Sequence, residues 1–347
     1  MRSVLFKTVL SFFLLFFSFY GQTAYDVMKR YSLSMGKMGN QEILDPVGRS
    51  VFMDIGGMIN ENIFGLIRDV ASIKPTDVSG FFSNNAEIEQ AGAFSLKMGT
   101  PLPRFKFLGT RFYPQLNLMT ELGAVLGFPG SAGTTFHFYN HLKAGLGTTL
   151  NFRYRKRING FLKLYTDTKS DFKMIKSQSD LMSDGGVGTN FGSNLHSDLS
   201  VSLRLGYKRK KWSAFYQLED LNIISIIKIK DSQTYHFGEN SLSRIHGDYR
   251  LKHRGFALKA FAGAHQRKGH YNWGESLYFG GDLSAKVWKG RFGVTTRLMM
   301  DPEHWNIGLK LKGWIGHLNY LIRLPKASSV DGVKVSSLHS LNLRTFF

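Results

Sequence analysis

The sequence predicts an all-β fold: an up-and-down antiparallel β-barrel that crosses a membrane, preceded by a small helical N-terminal segment. Three observations predict it. From about Ala91 to the end of the 347-residue chain, apolar and polar residues alternate with a period of two. Many alternating runs reach ten residues or more, close to the ~9–11 tilted residues of a bilayer crossing and longer than the ~5–6 of an ordinary strand. Short basic turns alternate with long polar connections, so the two ends of the barrel differ in character.

Taken in order, the chain opens with Arg2 and Lys7, then runs uncharged from Thr8 to Tyr20 (TVLSFFLLFFSFY). A basic start followed by a short apolar stretch is the secretory pattern. The run is too short for a spanning helix, which needs ~20 apolar residues. Residues 1–24 are therefore expected to be a signal peptide, cleaved after Ala24. Export decides how the charge is read. Lys and Arg number 45 against 25 Asp and Glu, a net charge of +20. An exported chain does not meet nucleic acid, so this excess points to anionic lipid or anionic solutes. There is no Cys, which excludes a disulfide scaffold, a thiol nucleophile and a Cys-ligated zinc site.

Residues 25–90 form the expected helical segment. Ile55, Met58, Ile59, Ile63, Leu66, Ile67 and Val70 recur at helical spacing. Asp54, Glu61, Arg68 and Asp69 make the stretch too charged to cross a membrane, and Gly56-Gly57 would bend it. Such a helix could plug a pore, hang below it in the periplasm, or lie on a surface.

The barrel is expected over residues 91–347. Lys143–Lys156 (KAGLGTTLNFRYRK) shows the pattern: Ala144, Leu146, Leu150 and Phe152 on one face, Lys143, Asn151, Arg153 and Arg155 on the other. Strands are predicted at 112–126, 143–156, 160–174, 196–208, 211–222, 246–253, 255–264, 276–288, 291–299, 304–312, 314–323 and 338–347. That makes twelve. Ala91–Gly99 is a thirteenth candidate, and a further segment would make fourteen. Aromatic residues sit beside the short turns, as Tyr207 and Trp212 do, where a barrel places its interfacial girdle. In lipid every backbone polar group must be paired internally, so strands can cross only as a closed barrel.

The chain ends Leu341-Asn342-Leu343-Arg344-Thr345-Phe346-Phe347, with Leu341, Leu343, Thr345 and Phe347 on one face. This resembles the C-terminal insertion strand of Gram-negative outer-membrane β-barrel proteins, which end in Phe with apolar residues at alternate positions before it. Thr345 stands where that pattern prefers a larger apolar residue. With the export signal and the alternation, the resemblance covers roughly three quarters of the chain and supports a porin-like superfamily without selecting a member. It implies residence in the cell outer membrane. The implied partners are outer-membrane lipid, lipopolysaccharide and the barrel-assembly machinery.

If the apolar face meets lipid, the polar face lines the lumen. Arg153, Lys163, Arg204, Lys259, Lys286, Arg297 and Lys310 are the basic residues placed there, within strands or near their ends. Asp167, Asp171, Asp198, Glu219, Asp248 and Asp282 share that face. Surplus cations lining a water-filled pore concentrate anions and oppose cations. The expected function is therefore a pore for small solutes with a basic, anion-preferring lumen. Two alternatives stay open: a transporter of apolar solutes like the fatty-acid channels, or a non-conducting structural or secretion-associated barrel.

No catalytic residue, metal ligand or cofactor is expected. His196-Ser197 and Ser193-Asn194 do not reproduce the His-x-Ser-Asn-Gly order of outer-membrane phospholipases. His265, His270 and His304 lack ligand spacing. Gly185-Gly186-Val187-Gly188 lacks the Lys and Ser/Thr of a phosphate loop.

Overall fold

A computed structural model describes residues 50–63, 65, 88–127, 135–155, 157–177, 195–229, 241–253, 255–267, 272–287, 292–330 and 333–347. Fourteen strands form its wall: β1 (Phe52–Asn60), β2 (Glu89–Pro101), β3 (Thr110–Gly127), β4 (Thr135–Tyr154), β5 (Ile158–Ser177), β6 (Leu195–Lys208), β7 (Trp212–Lys228), β8 (Leu242–His253), β9 (Phe256–Arg267), β10 (Tyr278–Val287), β11 (Phe292–Met300), β12 (His304–Lys312), β13 (Gly316–Pro325) and β14 (Leu338–Phe346). Each pairs antiparallel with its neighbours in sequence, and β14 pairs with β1 to close the ring. The fold is thus the expected up-and-down barrel, with fourteen strands in place of the leading count of twelve.

The extra strand corrects the reading of residues 52–60. Ile55, Met58 and Ile59 fit helical spacing, but Met53, Ile55, Gly57 and Ile59 also alternate with Asp54, Gly56, Met58 and Asn60, and these four are buried in the structure. A glycine pair is poorly tolerated in a helix interior. In the wall Gly56 is useful: a Cβ there would stand 2.7 Å from the Ser95 hydroxyl and 3.2 Å from the Asn342 amide. The barrel therefore begins at residue 52, ahead of the expected boundary at 91. The signal peptide and residues 25–49 and 66–87 of the expected helical segment lie outside the described residues.

The strand register assigns every side chain to one of two faces. Outward rows are apolar and accessible: Leu146 is 61%, Leu205 54% and Leu298 57% exposed. Inward rows are polar, and Asp167 and Asn306 are fully buried. In water this would be inside-out; in lipid it is the arrangement that satisfies both media. Aromatic residues gather at the short-turn end, where Tyr207 packs at a tilt against Trp212 (5.2 Å between centroids) and Trp314 is exposed. The turn between β2 and β3 carries a small hairpin strand, Phe105–Phe107, closed by Leu108-Gly109 with positive φ at both positions, as a tight hairpin turn demands.

Side-chain size keys the strands together. Tyr165 lies across Gly147 on the neighbouring strand, where a Cβ would meet the Leu164 carbonyl and Tyr165 Cβ at 2.3 Å. Strand β7 departs from regular pairing. Three register shifts against β6 leave it with three extra residues. The first sets Glu219 and Asp220 opposite Ser202, with Asp220 at φ +54 and buried. The next two leave Ile223, Ile224, Ile226 and Ile227 all exposed.

Candidate functional site

The candidate site is the inner wall, and the register shows which residues reach it. All seven basic residues predicted for the lumen fall on inward rows. Arg153 lies opposite Arg111 and Asn159 near the short turns. Lys286 lies opposite Gly293, and Lys310 between Thr295 and Asn319. The Lys163 ammonium sits 4.1 Å above the Tyr165 ring.

Arg204, Lys259 and Arg297 are brought together on one side of the wall. The Arg297 guanidinium forks onto Asp282, with Nε to Oδ1 at 2.7 Å and Nη2 to Oδ2 at 3.0 Å. Lys259 Nζ reaches the same carboxylate at 2.6 Å. Arg204 stacks on Phe215 at 3.9 Å, and Arg297 stands 4.9 Å from the Phe261 centroid. Between those rings lies His246, 5.1 Å from Phe215 and 5.7 Å from Phe261, with Nδ1 2.8 Å from the Tyr278 hydroxyl.

A second cluster lies toward the long-loop end. Lys143 Nζ meets Asp220 Oδ1 at 3.1 Å and Asp167 Oδ2 at 3.4 Å. Lys169 meets Asp167 at 3.0 Å, and Arg267 reaches Asp220 at 3.5 Å. The Tyr165 hydroxyl donates to Asp220. Burying ions is costly unless they are paired, and here three cations face two carboxylates. Alternation alone could not find Asp220: it assigns adjacent Glu219 and Asp220 to opposite faces, and only the bulge turns both inward. Its signal was indirect, the small Ser202 opposite two acids.

A third cluster fixes the tight turn from β11 to β12. Asp301 accepts hydrogen bonds from the backbone N–H of Glu303 (3.0 Å) and His304 (2.9 Å) and from Asn306 Nδ2 (3.1 Å), and Arg323 Nη2 lies 3.3 Å away. The fourth joins the chain ends. Asp54 on β1 accepts from Arg344 Nε (3.1 Å) and Nη2, while Asn342 Nδ2 donates to its other oxygen. Asp54 and Asp301 were both missed, the first by the helical reading and the second because it sits in a turn.

His196 approaches Asp198 Oδ1 at 2.7 Å and Ser225 Oγ at 3.3 Å, both through Nε2. A nucleophile relay needs the acid and the hydroxyl on opposite ring nitrogens, and here both lie on the same one. His265 and His304 are buried in β9 and β12; His270 and Gly185–Gly188 lie outside the described residues. Among the described residues no three His, Asp or Glu converge as a metal site. At the C-terminus, Leu341 (51%), Leu343 (42%) and Phe347 (75%) are exposed, with Thr345 in the same outward row.

A closed antiparallel barrel with an apolar outer belt and a charged interior defines a transmembrane β-barrel of the outer-membrane type. No protein-family model and no curated protein matches the chain. Among solved structures it is similar to CdiB from Escherichia coli (10% identity, TM-score 0.42), over 86% of this chain and 63% of that one. It thus spans less than two thirds of the length of CdiB. The transport unit of the autotransporter AIDA-I from Escherichia coli is similar at 9% identity and TM-score 0.38, over 94% of this chain and 100% of that one. A mutant Rh. blastica porin is similar at 7% identity and TM-score 0.36, over 86% and 99% of the two chains.

Proposed function

We propose that the chain is an outer-membrane pore for small solutes whose lumen prefers anions. The observation that carries this reading is the sorting of charge by register: Arg153, Lys163, Arg204, Lys259, Lys286, Arg297 and Lys310 all fall on inward rows. Arg153 and Lys286 are accessible and enter no ion pair among the described residues. Charge in a water-filled lumen with low-dielectric walls acts on passing ions with little screening.

The test is the reversal potential in a potassium chloride gradient across a planar bilayer. Chloride should be preferred, and replacing Arg153, Lys286 and Lys310 together with Glu should reduce or reverse the preference. Those three are chosen because Arg297 and Lys259 also hold Asp282. A wild-type channel that prefers potassium would refute the reading. The buried ion-pair cluster around Asp167 and Asp220 favours a second reading, a filled, non-conducting barrel, and absence of current from correctly folded protein would select it.

A further inference from the structure

We propose that the short-turn mouth of the barrel is a docking ring for an acidic segment of a partner protein. The inference rests, like the pore reading, on the inward assignment of Arg153 and Lys286, and it adds a ligand that the mouth itself would hold.

The inward positions nearest the short turns are basic around most of the wall. Lys106, on the small hairpin strand, lies opposite Arg111, and Arg111 lies opposite Arg153, so three cations stand abreast. Lys208, Lys252, Lys286 and Lys312 continue the row at the ends of β6, β8, β10 and β12. All of these are exposed, and none enters an ion pair among the described residues. Like charges directly opposite one another destabilise a sheet, a cost that a bound anion would offset.

The carboxylates near the row are engaged elsewhere or lie above it. Asp54 is held by Arg344 and Asn342. Asp248, four residues above Lys252, is bonded by the Ser213 hydroxyl, and Arg250 stands between it and Lys252. Asp282, four residues above Lys286, is taken by Lys259 and Arg297. The α-carboxylate of Phe347 follows β14, outside the arc from β3 to β12. The connections at this end, residues 102–109, 155–157, 209–211, 254–255, 288–291 and 313–315, contain no Asp or Glu.

Geometry selects a chain over a small ion. Fourteen strands ~4.8 Å apart and tilted near 40° close on a radius of roughly 14 Å. From β4 to β12 the cations recur on every second strand, about 10 Å apart. A small anion spans at most one such gap. A peptide segment, ~10–12 Å across as a helix, reaches several cations at once, and linked contacts reinforce one another through effective concentration. Leu108, at the tip of the hairpin that carries Lys106, is 81% exposed. A protein ligand brings apolar side chains to such a tip; an anionic polysaccharide brings none.

The test is fluorescence anisotropy of a labelled peptide of alternating glutamate and alanine, titrated with the full-length, folded protein in neutral detergent at low salt. Wild type should bind it saturably and more weakly as salt is added, and the matching glutamine–alanine peptide should not bind. A variant carrying Arg111→Gln, Arg153→Gln and Lys208→Gln should bind about tenfold more weakly. A second carrying Lys228→Gln, Lys230→Gln and Lys334→Gln loses the same charge at the long-loop end and should bind as wild type does. Heat-modifiable gel mobility checks folding; if the first variant does not fold, Lys286→Gln alone should weaken binding about twofold. Non-saturable binding to folded wild type would overturn the proposal, as would equal losses in the two triple variants. Tighter binding of polygalacturonate of matched charge would overturn the choice of a protein ligand. Binding is read without current, so a potassium-preferring or silent channel would overturn the pore reading alone.

Discussion

Closure of the barrel depends on a strand that helical spacing hid, and the pair that joins it to the last strand can be perturbed directly. Asp54 on β1 is 1% exposed and Arg344 on β14 6%. Two Arg344 nitrogens donate to one Asp54 oxygen and Asn342 to the other. Replacing Asp54 by Ala leaves a guanidinium buried without its counter-charge, at a cost of about 3–5 kcal/mol. Replacing both Asp54 by Leu and Arg344 by Met removes charge and partner together and should cost far less. Combined with Asp54→Leu and Arg344→Met alone, it closes a cycle whose coupling should reach about 1–3 kcal/mol. The assay is urea unfolding from lipid vesicles, followed by tryptophan fluorescence, with heat-modifiable gel mobility as a check on closure. Additive single effects would refute the reasoning, because they would mean that Asp54 and Arg344 do not meet across the seam.

Two further expectations rest on single contacts. Leu283 is lipid-facing and 51% exposed; Leu283→Arg should destabilise by about 2–4 kcal/mol if it lies near the bilayer midplane, while lumen-facing Lys286→Glu should stay within about 0.5 kcal/mol, both read by the same unfolding assay. Glu61, just after β1, is held below the ordinary carboxylate range by hydrogen bonds from Ser337 and His339. Its folded pKa is depressed, so its contribution is present above the ordinary glutamate value and is lost as pH falls through the lowered one. The unfolding midpoints of wild type and Glu61→Gln should differ at neutral pH and converge in acid below that range, and convergence already at neutral pH would contradict the assignment.

Much of this fold was legible because lipid enforces alternation. The strand at 304–312 coincides with its predicted bounds, since Trp305, Ile307, Leu309 and Leu311 admit only one period. Strand β1 was illegible for the opposite reason: Ile55 and Ile59 satisfy helical and strand periods together, and Met58 completes the helical one alone. Strand β4 starts at Thr135, well before its predicted start at 143, and β5 runs on to Ser177, a little past its predicted end at 174; both extensions lie at the long-loop end, where the pattern loses contrast because no lipid face need be kept apolar. The inward basic residues followed from parity alone. Their partners did not, because pairing across strands depends on register, and the bulges of β7 alter register in a way no single strand reveals.

The strands differ in length by more than a factor of two, 20 residues in β4 and β5 against 9 in β11 and β12. At about 3.3 Å per residue and a tilt near 40°, the longer strands climb roughly 50 Å and the shorter ones roughly 23 Å, against an apolar band about 25 Å tall. One flank therefore stands clear of the bilayer like a parapet while the opposite flank ends at the lipid headgroups. A solute arriving from the long-loop side meets a mouth cut on the slant. An antibody epitope placed on the tall flank would stand clear of the headgroups of the bilayer, whereas the same epitope on the β11–β12 turn would lie down among them.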